Sequence, residues 1–406
     1  MAVRCIFCFL LIILLIFSII SAGNIFPLQK NELVAEKYSG WSGVIRVWLV
    51  EGWKPGAGSF NGWLNNCTGK FEKIHDGVYV QIQTVNASAA GTLFENGIIP
   101  PDMMIFPPNV LDSPAHLIPL DRNNTLRHPF MDSGLYGGVL YAMPIAAGGY
   151  AWAYNTSLIE KIPDTWRDTD FAISAFPDDE KLFWSAGLMG LCSGRYLSEP
   201  SEVKEPDIAR DLDLGLSIIE ATPAPTATAE PSDADFLYCA LPDGFSSDLD
   251  AYSDFITGKI AAIPVTQYHI RRLAALSDAG KGPDWNIETT GDIPFTDQLL
   301  FAAVVDRNED MEKQTLCREF IDHLLSDDCQ KELNRAGAFS VTEAYSDYNA
   351  HDPLVLINDV LRADRLCTIS AFDRRENTSV NDIVREFFKN NEFTPDLFNR
   401  YLLQTQ

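Results

Sequence analysis

Three short apolar segments near the start of the chain alternate with helical patterns, and that order constrains the fold more than any total does. Residues 44–50 are apolar except for Arg46 and rich in Val and Ile, as a buried strand is. A loop with Gly52, Pro55, Gly56 and Gly58 follows. Phe60, Trp63, Leu64, Cys67 and Phe71 then recur at helical spacing behind Ser59, a residue suited to cap a helix N-terminus. Val78, Val80, Ile82 and Val85 mark a second strand, and Leu93 and Phe94 a short helix stopped by Gly97. Residues 103–106 are a third strand fenced by Pro100-Pro101 and Pro107-Pro108. Strand, helix, strand, helix, strand predicts an α/β sheet with parallel pairs.

A chain of 406 residues implies two domains or three. With 56 acidic and 31 basic side chains, its formal net charge is −25. Such a surface repels a phosphate backbone, and no basic run offsets it, so nucleic acid is not an expected partner. The 6 His never stand at zinc-ligand spacing, and neither a metal nor a cofactor is expected. A nucleophile elbow, a zinc-protease helix and a phosphate loop are all missing from the sequence. Carboxylates are too numerous to single out a glycosidase pair. No catalytic residue is assigned.

Residues 1–23 look like an export signal. Arg4 precedes residues 5–20, apolar at every position but Ser18, and the small residues Ser21-Ala22-Gly23 follow. Whether this segment is cleaved as a signal peptide or kept as an N-terminal anchor, Arg4 stays inside and the body goes out. Cys5 and Cys8 lie at the start of the apolar run, not at its end, so lipidation is not supported. The six later cysteines contain no CxxC pair. Outside the cell disulfides are allowed. Cys192–Cys239 is a first candidate because both flank one insertion, and small buried hydrophobes are the other reading of these residues.

Further along, residues 140–154 are one extended stretch interrupted by Gly148-Gly149. Thr165-Trp166-Arg167-Asp168 reads as a helix start. Residues 198–235 form an insertion whose Pro/Thr/Ala segment suits an exposed loop. Residues 251–257 are helical up to Gly258. Residues 311–337 carry Leu316, Phe320, Ile321, Leu324 and Leu325 on one face, restart at Ser326 and close at Gly337.

Taken in order, several of these segments resemble a known family. Gly97-Ile98-Ile99-Pro100-Pro101-Asp102, Leu117-Ile118-Pro119-Leu120-Asp121, the run from Tyr141-Ala142-Met143-Pro144 to Tyr154-Asn155 with Pro163-Asp164-Thr165-Trp166, Phe255-Ile256-Thr257-Gly258-Lys259 and Phe320-Ile321-Asp322-His323-Leu324-Leu325-Ser326 are similar to motifs of extracellular solute-binding proteins of bacterial ABC importers. The resemblance is to the sugar-binding, maltose-binding-protein-like branch (family 1), and it covers about residues 42–345. It implies an α/β, two-lobed periplasmic-binding-protein fold with a central ligand cleft and extended hinge crossovers. Lobe one would be 40–147 and 298–340, and lobe two 150–294 and 345–406. The crossovers would fall at 147–150 and 295–298. Gly148 and Gly149 suit a hinge, because glycine absorbs backbone changes, and a plain bulge is the alternative.

A sugar presents apolar faces and polar rims, so its binder needs flat aromatics and planar polar groups. By the resemblance, Glu51 and Trp53 after the first strand, Asn109 after the third, Trp184 beside Phe183 in lobe two, and Gln267 and Tyr268 at a helix start are candidates for ligand contact. The family's Gly is replaced by Thr266, which puts the local backbone in question. Tyr150 and Trp152 face the cleft or fill the core. Asp373, Arg374 and Arg375 form a late charged cluster. The implied function is an exported, monomeric receptor that captures a sugar or oligosaccharide and hands it to ABC transporter permease subunits. A sensor of the same fold coupled to a membrane kinase, and a secreted glycosidase, are the alternatives.

Overall fold

The computed structural model describes residues 40–95, 100–108, 110–162, 248–289, 295–307, 310–344, 348–363, 366–372, 374–375 and 378–379. The export segment 1–23, Gly97, Asn109, the helix start at Thr165, Trp184, Cys192, Cys239, the 198–235 insertion and Asp373 lie outside the described residues.

The three apolar segments become strands β1 (Gly43–Val50), β2 (Val78–Val85) and β3 (Met103–Phe106). β1 pairs in parallel with both neighbours. Helix α1 (Phe60–Ile74) links β1 to β2, and α2 (Ala87–Glu95) follows β2. All five residues of the α1 stripe are buried, and Ser59 caps the helix by accepting from the Gly62 N–H at 3.0 Å. Helix α3 (His128–Met131) and the two-residue strands β4 (Leu135–Tyr136) and β5 (Val139–Leu140) then lead to the long extended stretch.

That stretch divides at the glycine pair into β6 (Met143–Ala147) and β7 (Tyr150–Asn155). The two strands belong to different sheets. Helix α4 (Asp248–Ile256) ends before Gly258, which is left-handed at φ 76°. Strand β8 (Ala262–Thr266) runs straight into α5 (Gln267–Asp278), and β9 (Trp285–Glu288) follows. Both β8 and β9 pair antiparallel with β7.

The chain returns through β10 (Phe295–Thr296) to β11 (Leu299–Val304), buried at all positions. β11 lies antiparallel between β3 and β6, which gives a five-stranded sheet of order β2-β1-β3-β11-β6. Helices α6 (Met311–Leu324), α7 (Asp327–Lys331) and α8 (Leu333–Ala336) cover it, and Gly337 closes the run at φ 68°. Phe320, Ile321, Leu324 and Leu325 are buried, as the periodicity expects.

The last described elements are α9 (Val355–Val360), β12 (Cys367–Thr368), β13 (Arg374–Arg375) and β14 (Thr378–Ser379). β12 pairs with β10, and β13 with β14. Residues 348–363 and 366–372 touch the surroundings of both sheets. Asp352 pairs with Arg271 of α5 at 2.6 Å, while Phe372 packs on Phe106 of β3 with ring centroids 6.3 Å apart.

Asp102, which opens β3, ties the first sheet together. It is 4% exposed and meets Arg307 at 2.9 Å, Lys313 at 2.7 Å and the Arg46 N–H at 2.8 Å. β1, α6 and Arg307 ahead of α6 are thereby pinned to one carboxylate.

Candidate functional site

The two crossovers between the sheets run side by side. Gly148 donates to the Gln298 carbonyl and receives, on its own carbonyl, the Thr296 hydroxyl at 2.7 Å. Thr296, Asp297 and Gln298 are all buried. Buried polar groups need partners, and here each crossover supplies them to the other. Tyr150 donates from its hydroxyl to Asp297 Oδ1 at 2.5 Å. Burial, with Asp297 alongside, holds the Tyr150 hydroxyl well above its ordinary value, so it stays a donor.

Gln267 joins this knot from the first position of α5. Its side chain is 0% exposed, and Nε2 donates to Gln298 Oε1 at 2.7 Å and to the Lys54 carbonyl at 2.9 Å. Its Oε1 accepts from the Gly149 N–H at 3.0 Å. Both amide hydrogens are therefore engaged. In this arrangement Gln267 holds the β1–α1 loop, α5 and both crossovers in register, rather than facing an open cleft.

The glycine pair has a packing reason. A β-carbon on Gly148 would collide with Gln298 Oε1, and one on Gly149 would stand 2.5 Å from Ile357 Cγ2. Neither glycine is at positive φ.

Trp53 is 8% exposed. Its Nε1 donates to the Leu299 carbonyl at 3.0 Å, and its ring stands edge-on to Phe60 with centroids 4.6 Å apart. These are the surroundings of a core ring. Tyr150 and Trp152 are buried too, so the core reading of that pair holds. Glu51, by contrast, is exposed, with its backbone N–H held by the Val85 carbonyl at 2.9 Å.

Tyr268 is half-buried beside Gln267. Lys54 lies over its ring at 5.1 Å and Arg272 at 5.4 Å, and Arg272 donates to the Tyr268 hydroxyl at 3.0 Å. Such cation–π contacts orient the ring at modest cost to displace. Thr266 takes ordinary extended backbone, φ −102°, so no glycine is required there. Its hydroxyl meets His269 Nδ1 at 3.0 Å and steadies the helix start.

The loop after β1 and the start of α5 thus come together beside the crossovers, through Trp53, Lys54, Gln267 and Tyr268. The sequence reading put a crossover at 295–298 but gave no role to Lys54 or to the Thr296, Asp297 and Gln298 side chains. A polar triplet just ahead of the apolar run 299–304 was the available signal. Among the described residues no group of three His, Cys, Asp or Glu is placed to hold a metal ion.

Two sheets joined by paired crossovers, with a strand returning to the first sheet, define the two-lobed solute-binding-protein fold, and solved structures show the same. An ABC substrate-binding protein of Listeria monocytogenes in complex with cycloalternan is similar at 15% identity and TM-score 0.53, with 89% of this chain and 97% of that one covered. The maltose-maltodextrin binding protein of Alicyclobacillus acidocaldarius is similar at 14% identity and TM-score 0.53, over 89% and 99%. A family 1 extracellular solute-binding protein of Bifidobacterium longum subsp. infantis is similar at 12% identity and TM-score 0.58, over 89% and 98%. No protein-family model matches the chain, and no curated protein does.

Proposed function

We propose that this chain is an exported receptor that captures a carbohydrate between its lobes and delivers it to an ABC importer, without catalysing a reaction. The observation that carries the reading is the two-lobed fold shared over about nine tenths of the chain with proteins that bind cycloalternan and maltodextrins. Lobe one is taken as 40–147 and 298–340, and lobe two as 150–294 and 345–406. Ligand bridging the lobes favours the closed form and shifts an existing equilibrium, with Gly148 and Gly149 in the moving segment. Glu51 and Tyr268 offer the accessible contacts, a carboxylate for hydroxyls and a ring for a sugar face. Trp53 and Gln267 stand behind them, and Asn109 and Trp184 are the further candidates from the resemblance. The partners are the sugar and permease subunits at the outer face of the membrane, and the receptor acts as a monomer.

Among the described residues no helix is long and apolar enough to cross a membrane. Export rests on residues 1–23, and protease added to intact cells should cut within the 198–235 insertion.

A thermal-shift screen with maltodextrins, cyclodextrins and chitin oligosaccharides tests the function. A ligand that binds only the folded form stabilises it by RT ln(1 + [L]/Kd), about 2.7 kcal/mol at a hundredfold excess over Kd. A midpoint that no sugar raises, together with product formed from an oligosaccharide, would replace the receptor by an enzyme.

A further inference from the structure

Two thiols meet where the helices covering the first sheet converge. Cys67 lies on α1 and Cys329 on α7, and both are fully buried and free. The neighbouring Cys329 thiol, with burial, holds the Cys67 thiol far above its ordinary value.

The backbone is pinned on either side of the pair. One turn before Cys67, Trp63 Nε1 donates to the Cys329 carbonyl at 2.9 Å. About one turn after it, Lys70 donates to the Asp328 carbonyl at 3.3 Å and pairs with Glu332 at 3.3 Å. The Cys67 carbonyl meets His323 Nε2 at 3.1 Å. The two helices therefore keep one register, with Cys67 and Cys329 between these fastenings. A disulfide needs its two β-carbons about 3.5–4.5 Å apart and its sulfurs about 2.05 Å apart.

We propose that Cys67 and Cys329 are joined by a disulfide in the exported protein, clamping α1 to α7. The oxidant is a small-molecule or protein disulfide. One cysteine thiolate attacks its S–S bond, forming a mixed disulfide and expelling one thiol. The second cysteine attacks the first cysteine's sulfur and expels the other thiol. The protein loses two protons and two electrons, and the oxidant's S–S bond becomes two thiols. Because both sulfurs are buried in the folded chain, the exchange belongs to folding. Bond formation in the cell rests on the export reading, since the cytosol keeps thiols reduced. The test does not rest on it.

The full chain is reduced, unfolded and refolded in a buffer of glutathione and glutathione disulfide. It is then alkylated in denaturant and digested for mass spectrometry. A second sample is purified folded with reductant and dialysed into the same buffer. A linked peptide joining Cys67 to Cys329 is expected as the main species. Reductant should lower the parent's thermal midpoint by about 5 °C more than that of a Cys67→Ala, Cys329→Ala double variant. Alkylated Cys67 and Cys329 in both samples, or either residue linked to a different cysteine, overturns the proposal. A failed sugar screen with the linked peptide present would overturn the receptor reading alone.

Discussion

Gly148 donates its backbone N–H to the Gln298 carbonyl at 2.7 Å, and the same approach brings the Gln298 side chain into the space a β-carbon on Gly148 would need. The crossover is thus close-packed. Gly148→Ala should cost about 1–3 kcal/mol, the range of an overpacked core site. Gly69 is the control, because a β-carbon there meets nothing within 4 Å and the residue lies inside α1. Gly69→Ala should raise stability by up to about 1 kcal/mol. Urea midpoints of the two variants should move in opposite directions.

Trp53 and Tyr268 should separate stability from binding. Trp53→Ala removes a buried ring and its hydrogen bond to Leu299, and should destabilise by about 3–5 kcal/mol. Tyr268→Ala should leave the thermal midpoint nearly unchanged. It should weaken sugar binding about thirtyfold, the effect of losing an anchor of about 2 kcal/mol. Calorimetry with a sugar from the screen, alongside unfolding curves, reads both. Equal affinity in Tyr268→Ala would move the site elsewhere.

The carboxylate of Asp102 supports three cationic side chains. Breaking such a buried cluster from its centre leaves charges uncompensated. Asp102→Ala should therefore cost about 3–5 kcal/mol. Arg46→Ala should cost much less, because its Nε stands 3.6 Å from Asp102 on a side chain that is 37% exposed. Denaturant curves of the two variants give the comparison.

Alkaline pH should unfold the protein early. Burial pushes the Cys317 thiol from 9.0 up to about 12, and it also raises the Tyr150 and Tyr348 hydroxyls above 10.0. Each group stays protonated in the fold after its unfolded counterpart has ionised, so the native state binds more protons. Stability is then full below pH 9 and falls as pH rises from 9 towards 12, by about 1.4 kcal/mol per pH unit for each group titrating. Tyr150→Phe should flatten the loss above pH 10.

Local patterns carried the first sheet well. Ser59 and the stripe of Phe60, Trp63, Leu64, Cys67 and Phe71 predict α1 because cap and core face are both written within one helix. The polar partners across the crossovers are not written that way. Trp53 finds its acceptor 246 residues away at Leu299, and Gln267 finds Gln298 31 residues away. An aromatic in a glycine-rich loop looks the same in sequence whether its face meets a sugar or its edge meets Phe60. The placement of β11 between β3 and β6 was equally hidden, since an apolar run does not name its neighbours.

That placement sets a clock. β6 lies at the edge of the first sheet and reaches β3 only through β11, which begins at Leu299. At roughly 5–20 residues per second, a ribosome needs on the order of ten seconds or more after finishing β6 to supply it. Until then the early strands cannot complete their ladder. Under the proposed export, the late strand would give the secretion machinery that interval before the first sheet can lock.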